Sequence, residues 1–362
     1  MALYINFTND DVLTNEANKV TAGFFDGTGT IAGSTLTTSS LSTTQKNYYY
    51  NLQYNDKDHI SVTYGHIGGS GSDSVTDLKG QTEAIYKQFA NYLLNPIAVG
   101  SGDTFQPSVD DGFQFTSGTL EHDVYIVSFE RARFKDRVNR KTWTLSLSGS
   151  ERNPTGVEPT VIESSGSTIH LTDDSKTATG VQTIVGPRYT VYSGSEGVVN
   201  NTTTKYGHFY PNLGLVVLSQ NKLSSSLPGN SVANKSGSGY VGGGFGLAAD
   251  RTIGTSADNA WKMARAIMLG SNHTFRNEED QTTVSYFCRA KAPHFNFSNN
   301  PTFTSGSDGE LTNTTFEGNP QSFITTVGLY DNTEALVAVG RLSKPIKKNY
   351  SSEAVIKVNL TY

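Results

Sequence analysis

Phe323-Ile-Thr-Thr-Val-Gly-Leu-Tyr-Asp331, then Asn-Thr-Glu-Ala335, then Leu336-Val-Ala-Val-Gly-Arg-Leu-Ser-Lys-Pro345 carries the clearest structural pattern in the chain. Two apolar runs flank a short polar turn at Asp331–Glu334, the mark of an antiparallel hairpin. The same pattern recurs along the chain, as alternating apolar and polar residues bounded by Gly, Ser, Asn and Pro. It predicts strands at Tyr48–Tyr54, His59–Ile67, Val124–Phe134, Lys141–Ser148, Thr160–Glu163, Ser167–Thr172, Arg188–Tyr192, Leu215–Ser219, Thr282–Lys291 and Ala354–Leu360. Two helical patterns interrupt them. In Thr82–Leu94, Ile85, Phe89 and Leu93 recur at intervals of four, and Asn95-Pro96 stops the helix. In Ala257–Leu269, Trp261, Ala264 and Met268 share a face, with Ser256 as N-cap and Gly270 at the C′ position. The expected fold is mainly β: antiparallel β-sandwich-like domains with two short packing helices at about 82–94 and 257–269.

Composition agrees. Of 362 residues, 35% are hydrophobic and 17% charged, below the roughly 45–50% and about 25% of an average domain. Aromatics at 10% argue against disorder throughout. No run approaches the ~18 consecutive apolar residues of a membrane helix, so no membrane partner is expected. Met1–Asp11 has no basic segment leading into an apolar one, so no signal peptide is expected. A net charge of −5 disfavours nucleic acid as a partner. The single cysteine, Cys288, excludes an intramolecular disulfide and a multi-thiol metal site. Ser/Thr/Gly-rich stretches at Thr28–Thr44, Gly68–Ser74, Ser148–Gly156 and Ser224–Gly246 suggest domains at 1–155, 156–255 and 256–362.

Chemistry-bearing motifs are weak. Gly237-Ser-Gly-Tyr-Val-Gly242 has the lettering of a dinucleotide fingerprint, but a loop precedes it where that fingerprint needs a strand. Phe25-Asp-Gly-Thr-Gly-Thr30 reads as a plain turn. Asp56, Asp58, His59 and His66 match no metal-ligand spacing and read as a charged hairpin rim. Cys288 alternates with Val284, Tyr286 and Ala290 on one strand face, as a buried structural thiol would. With no nucleophile elbow or cysteine-protease signature, no catalytic residue, cofactor or metal is assigned, and no enzymatic activity is expected.

The basic runs are the candidate contacts. Arg131, Arg133, Lys135 and Arg137 occupy alternate positions, so a strand there would point all four to one face. Such a row is either a solvated face or an intersubunit contact that pairs with carboxylates. Arg341, Lys344, Lys347 and Lys348 form a second patch close to the last strand.

The Phe323–Pro345 hairpin resembles one common in bacteriophage tail and tail-fibre-attachment proteins, with Asn-Thr-Glu-Ala in place of a glycine-containing turn. Phe295-Asn-Phe-Ser-Asn-Asn-Pro-Thr-Phe303 and Glu353-Ala-Val-Ile-Lys-Val-Asn-Leu-Thr-Tyr362 are similar to segments of structural proteins from large contractile-tailed phages. Gln81-Thr-Glu-Ala-Ile-Tyr-Lys-Gln-Phe89 and Gly207-His-Phe-Tyr-Pro-Asn-Leu-Gly-Leu-Val-Val217 agree, as a packing helix and a core hairpin. The resemblance implies a multi-copy virion subunit of the tail, in the wedge or periphery of the baseplate. It would be assembled in the host cytoplasm, with other tail and baseplate proteins or further copies of itself as partners. The alternative is a receptor- or glycan-binding, decorating or neck protein, with Tyr48-Tyr-Tyr50 as a natural sugar platform.

Overall fold

The computed structural model describes residues 4–42, 45, 48–68, 82–94, 112–151, 162–227 and 256–362. From the N-terminus run β1 (Val12–Gly23), β2 (Thr30–Ala32), β3 (Thr37–Thr38), β4 (Tyr50–Tyr54), β5 (Lys57–His66), α1 (Thr82–Leu93) and β6 (Asp123–Phe129). Then come β7 (Arg137–Val138), β8 (Leu145–Glu151), β9 (Ile162–Asp173), β10 (Val181–Thr183), β11 (Gly186–Ser195), β12 (Val198–Asn201), β13 (Gly207–Tyr210), β14 (Leu215–Ser219) and α2 (Gln220–Ser226). Last are α3 (Ser256–Met268), β15 (Asn272–Thr274), β16 (Arg276–Ala290), β17 (Thr304–Ser305), β18 (Glu310–Leu311), β19 (Ser322–Tyr330), β20 (Leu336–Lys348) and β21 (Ala354–Thr361). Strand outweighs helix by 49% to 14% and the sheets are antiparallel, so the mainly β, sandwich-like class holds.

Two compact units divide the chain. A central unit is the single segment Val20–Glu279, and a terminal unit combines both chain ends, Met1–Lys19 and Asp280–Tyr362. The boundaries expected near 155 and 255 fall at 152–161 and 228–255, outside the described residues, as does Gly237–Gly242.

The central unit rests on an eleven-stranded sheet in the order β3-β4-β5-β6-β14-β13-β11-β9-β8, with β10 and β12 attached to β11. Alternation along β6 sends Tyr125, Val127 and Phe129 into one core, and Val124 and Ile126 into a second on the opposite face. β14 divides in the same way, Val216 and Leu218 against Leu215 and Val217. Both faces of these middle strands are covered, which is why they read as nearly unbroken apolar runs. On the first face α3 touches β4 and β5 near one end of the sheet order and β8 at the other. The sheet therefore coils around the helix, using its natural twist to close a layered core.

α3 buries Ala260, Met263, Ala264 and Ile267. Trp261 and Met268, expected on that stripe, sit at its margin, and Trp261 meets Tyr50 with ring centroids 5.0 Å apart. Beneath it, Trp143 stacks on Phe275 at 5.7 Å, and Phe275 meets Phe129 at 4.4 Å. Each such ring removes enough apolar surface from water to contribute about 1.5–3 kcal/mol. α1 covers the second face, burying Ile85, Tyr86, Ala90 and Leu93. Gly65 permits its approach, since a Cβ there would lie 2.9 Å from the Tyr86 Cα.

β16 is the middle strand of a β1-β16-β21 sheet; its part in the terminal unit, from Asp280 on, pairs with β21 from Thr283↔Thr361 to Ala290↔Ala354. Cys288 stands opposite Ile356 and is half-buried rather than enclosed, with its thiol pKa pushed up mainly by that burial. β19 and β20 form a separate two-stranded hairpin, from Ser322↔Lys348 to Tyr330↔Leu336. Beside β1, Thr8 donates to Asp11 through Oγ1 at 2.7 Å and its amide at 3.1 Å. With Arg289 also donating to that carboxylate, its pKa falls to about 2.

Candidate interaction surface

The basic run is not a strand face. β6 ends at Phe129, where its β14 neighbour has stopped at Leu215↔Ser128, although β5 continues to Lys57 and the Glu130 amide still donates to the His59 carbonyl at 2.9 Å. Arg131–Arg133 then form one 3-10 turn, which lets Phe134 swing back into the core. Each cation has a partner inside the chain. Arg131 donates to the Phe134 carbonyl at 2.6 Å with its guanidinium over that ring. Arg133 lies 3.6 Å from Asp26, which also binds Lys57 at 3.1 Å. The hydrogen bond from Lys57 is the main reason the Asp26 pKa is held low. Lys135 faces Glu279 at 3.6 Å, and Arg137 pairs with buried Glu278 at 3.2 Å. These acids lie far away in sequence, so spacing within the run carried no sign of them.

The second patch divides differently. Arg341, Lys344 and Lys347 are exposed on β20. Lys348, expected beside them, is fully buried and donates to the Ala292 carbonyl at 3.0 Å, Asn296 Oδ1 at 2.9 Å and the Asn349 carbonyl at 2.9 Å. Desolvation lowers its pKa. It is a structural clamp and offers nothing to a partner.

The Asp331–Ala335 turn is firmly tied. Asp331 Oδ1 accepts from the Thr333 amide at 2.8 Å, the Thr333 hydroxyl at 2.7 Å and the Ala335 amide at 2.9 Å. These bonds, the Thr333 hydroxyl first, lower the Asp331 pKa. Glu334 takes the left-handed conformation, φ 64°, that a glycine would otherwise supply.

Exposure separates the two units. Fourteen of the twenty exposed large apolar side chains among the described residues belong to the terminal unit, which holds 102 of 362 residues. Among the described residues there, only Val284, Ala290, Leu329 and Ile356 are buried apolar residues, against forty-four described ones in the central unit. The β19–β20 hairpin is the extreme case, with Val337 62% and Val339 60% exposed. Large exposed apolar patches are characteristic of interaction sites, and this hairpin, though it touches β21, gains no third strand in its ladder.

Other expectations find their places. Asn55 and Asp56, both with φ near 50–58°, make the tight β4–β5 turn, and Asp58 accepts from Asn51 and Gln53. His59 is buried, its pKa lowered by desolvation, and His66 lies 3.5 Å from Asp123. Among the described residues no three His, Cys, Asp or Glu side chains group so as to hold a metal ion. Phe25 and Thr28 exchange backbone hydrogen bonds in a turn. Tyr48 is exposed, but Tyr50 packs on Trp261, so the three tyrosines are not an open platform. A cleft of about 330 Å³ elsewhere in the central unit is lined by hydroxyls, including Thr144 and Ser195, with His170, Glu196 and Asn272. No helix among the described residues is long and apolar enough to cross a membrane.

Compared with models of protein families, with curated proteins and with solved structures, the chain matches none of them.

Proposed function

We propose that the chain is a structural subunit of a phage tail, in the wedge or periphery of the baseplate, holding its neighbours through the terminal unit. The supporting observation is the imbalance of apolar surface. A unit of 102 residues that keeps four apolar side chains buried and fourteen large ones exposed is built to be covered by partners. The hairpin resemblance to tail proteins points the same way, and so does the internal pairing of the Arg131–Arg137 run, which leaves that run little role in assembly. The mechanism is mechanical: a closed central body carries an apolar β-surface that fixes neighbouring tail proteins and releases or rotates them on contraction.

The test is incorporation. A chain with Val337→Lys and Val339→Lys, both at exposed positions, should fold normally and be lost from purified particles by quantitative mass spectrometry. Retention at the wild-type copy number would contradict the reading. The polar cleft favours a second reading, glycan binding. Binding on a glycan array that disappears with Glu196→Ala and Asn272→Ala would support it.

A further inference from the structure

We infer that the outward face of the β19–β20 hairpin pairs with the same face of a second copy of this chain, antiparallel about a two-fold axis at the Gly328–Val339 pair. The inference rests on the terminal unit being an assembly surface and does not need the phage assignment. The register supplies the geometry. Thr326↔Arg341, Gly328↔Val339 and Tyr330↔Leu336 lie on the exposed face, while Leu329↔Ala338 lies on the inner one. Between Arg341 and Ile346 the register jumps, so Leu342–Pro345 bulge opposite the single residue Thr325. The hairpin thus has an acidic end, the Asp331–Ala335 turn with Asp331 and Glu334, and a basic end, the bulge with Lys344 followed by Lys347. The apolar strip of Tyr330, Leu336, Val337 and Val339 starts at the turn and reaches the axis.

Such a face is complementary to itself when reversed. Rotation about the Gly328–Val339 pair sets each acidic turn opposite the other copy's bulge, bringing Glu334 toward Lys344. The same rotation lays β20 on β20, so each Arg341 comes over the other copy's Leu336 and Val337 and covers them with its alkyl stem. Tyr330, whose ring meets Tyr4 of its own chain at 5.1 Å, faces Thr326. In parallel alignment, acid would meet acid and base would meet base. Arg341, Lys344, Lys347 and Glu334 are exposed, and no ion pair within the described residues engages them.

Size sets the strength. The overlap about that axis, some three rungs to either side and two strands wide, measures ~24 Å by ~10 Å, roughly 240 Å² per copy, against about 800 Å² in a standard stable interface. The pairing is therefore weak in solution, with a Kd on the order of 100 µM, and is reinforced where many copies are held together.

Sedimentation of the full-length chain from ~10 to ~500 µM tests this. The expected mass rises from 39.1 kDa toward twice that value. Glu334→Lys or Lys344→Glu alone should each weaken the dimer about tenfold, since symmetry repeats each pair and reversal replaces attraction with repulsion. The double exchange should restore it. Thermal melts confirm that these surface variants fold. A mass fixed at the monomer overturns the pairing, even if particles incorporate the chain. Self-association indifferent to the charge exchange, or open-ended growth, overturns it as well. A dimer that follows the exchange upholds the pairing, even in a chain absent from particles.

Discussion

Replacing Lys348 with Met separates a structural cation from an interfacial one. The side chain stays unbranched, becomes one atom shorter and loses its three donors. Two of the three acceptors retain other partners: the Ala292 carbonyl accepts from Asn296 Nδ2 at 2.7 Å, and the Asn349 carbonyl from the Ser352 amide at 3.2 Å. Asn296 Oδ1 is the acceptor left without a donor, in a residue 7% exposed. An orphaned buried acceptor costs about 1–3 kcal/mol, and two lost charge-assisted bonds cost about 1.5–3 kcal/mol each. Relief of ammonium desolvation returns several kcal/mol of that sum. The expected net loss is about 2–3 kcal/mol. For a unit near 100 residues that is a fall of roughly 10–20 °C in its calorimetric transition. Lys347→Met, one residue away and exposed, should stay within about 0.5 kcal/mol. If the two variants behave alike, or Lys347 costs more, the clamp is wrong.

Three further outcomes are expected. Phe275→Ala, in the aromatic stack with Trp143 and Phe129, should cost about 3–5 kcal/mol; a calorimetric loss under about 1 kcal/mol would mean that this core is loosely packed. Arg137→Ala takes the guanidinium from buried Glu278, whose Oε2 Asn139 also contacts at 2.6 Å, and should cost about 3 kcal/mol. Arg133→Ala, at a more exposed pair, should cost under about 1 kcal/mol, and equal losses would contradict the ranking. Burial, with Asp174 adding repulsion, raises the Asp173 pKa above the ordinary 3.8. The folded state then binds the proton more tightly than the unfolded one, so this group's contribution grows as pH falls through the raised value and is lost as pH rises. Asp173→Asn should therefore melt higher than the parent at pH 7, with the gap closing toward pH 4; a gap independent of pH would refute this.

The elements read well from sequence are those whose signal is local. β19–β20 and β16 show apolar alternation, and α1 shows its four-residue spacing and its stop. The elements missed draw their stability from elsewhere. β1, Val-Leu-Thr-Asn-Glu-Ala-Asn-Lys-Val-Thr-Ala-Gly, is largely polar and is a strand because β16 pairs with it. α2 had a readable sign, Ser219 at its N-cap accepting from the Lys222 amide. The site was half legible. Exposure of Arg341, Lys344 and Lys347 follows from their type, but the fate of Arg131–Arg137 depended on Asp26, Glu278 and Glu279, which only the fold brings near. Lys348 inverted the usual rule because Ala292, Asn296 and Asn349 form a polar socket that a one-dimensional pattern does not reveal.

The proposal of a phage-tail subunit stands or falls on electron microscopy of purified tailed-phage particles from the source of this sequence, labelled with antibody to this chain. Label at the tail tip, over the baseplate, is the expected result. Unlabelled particles in which mass spectrometry finds no copy of the chain would contradict it.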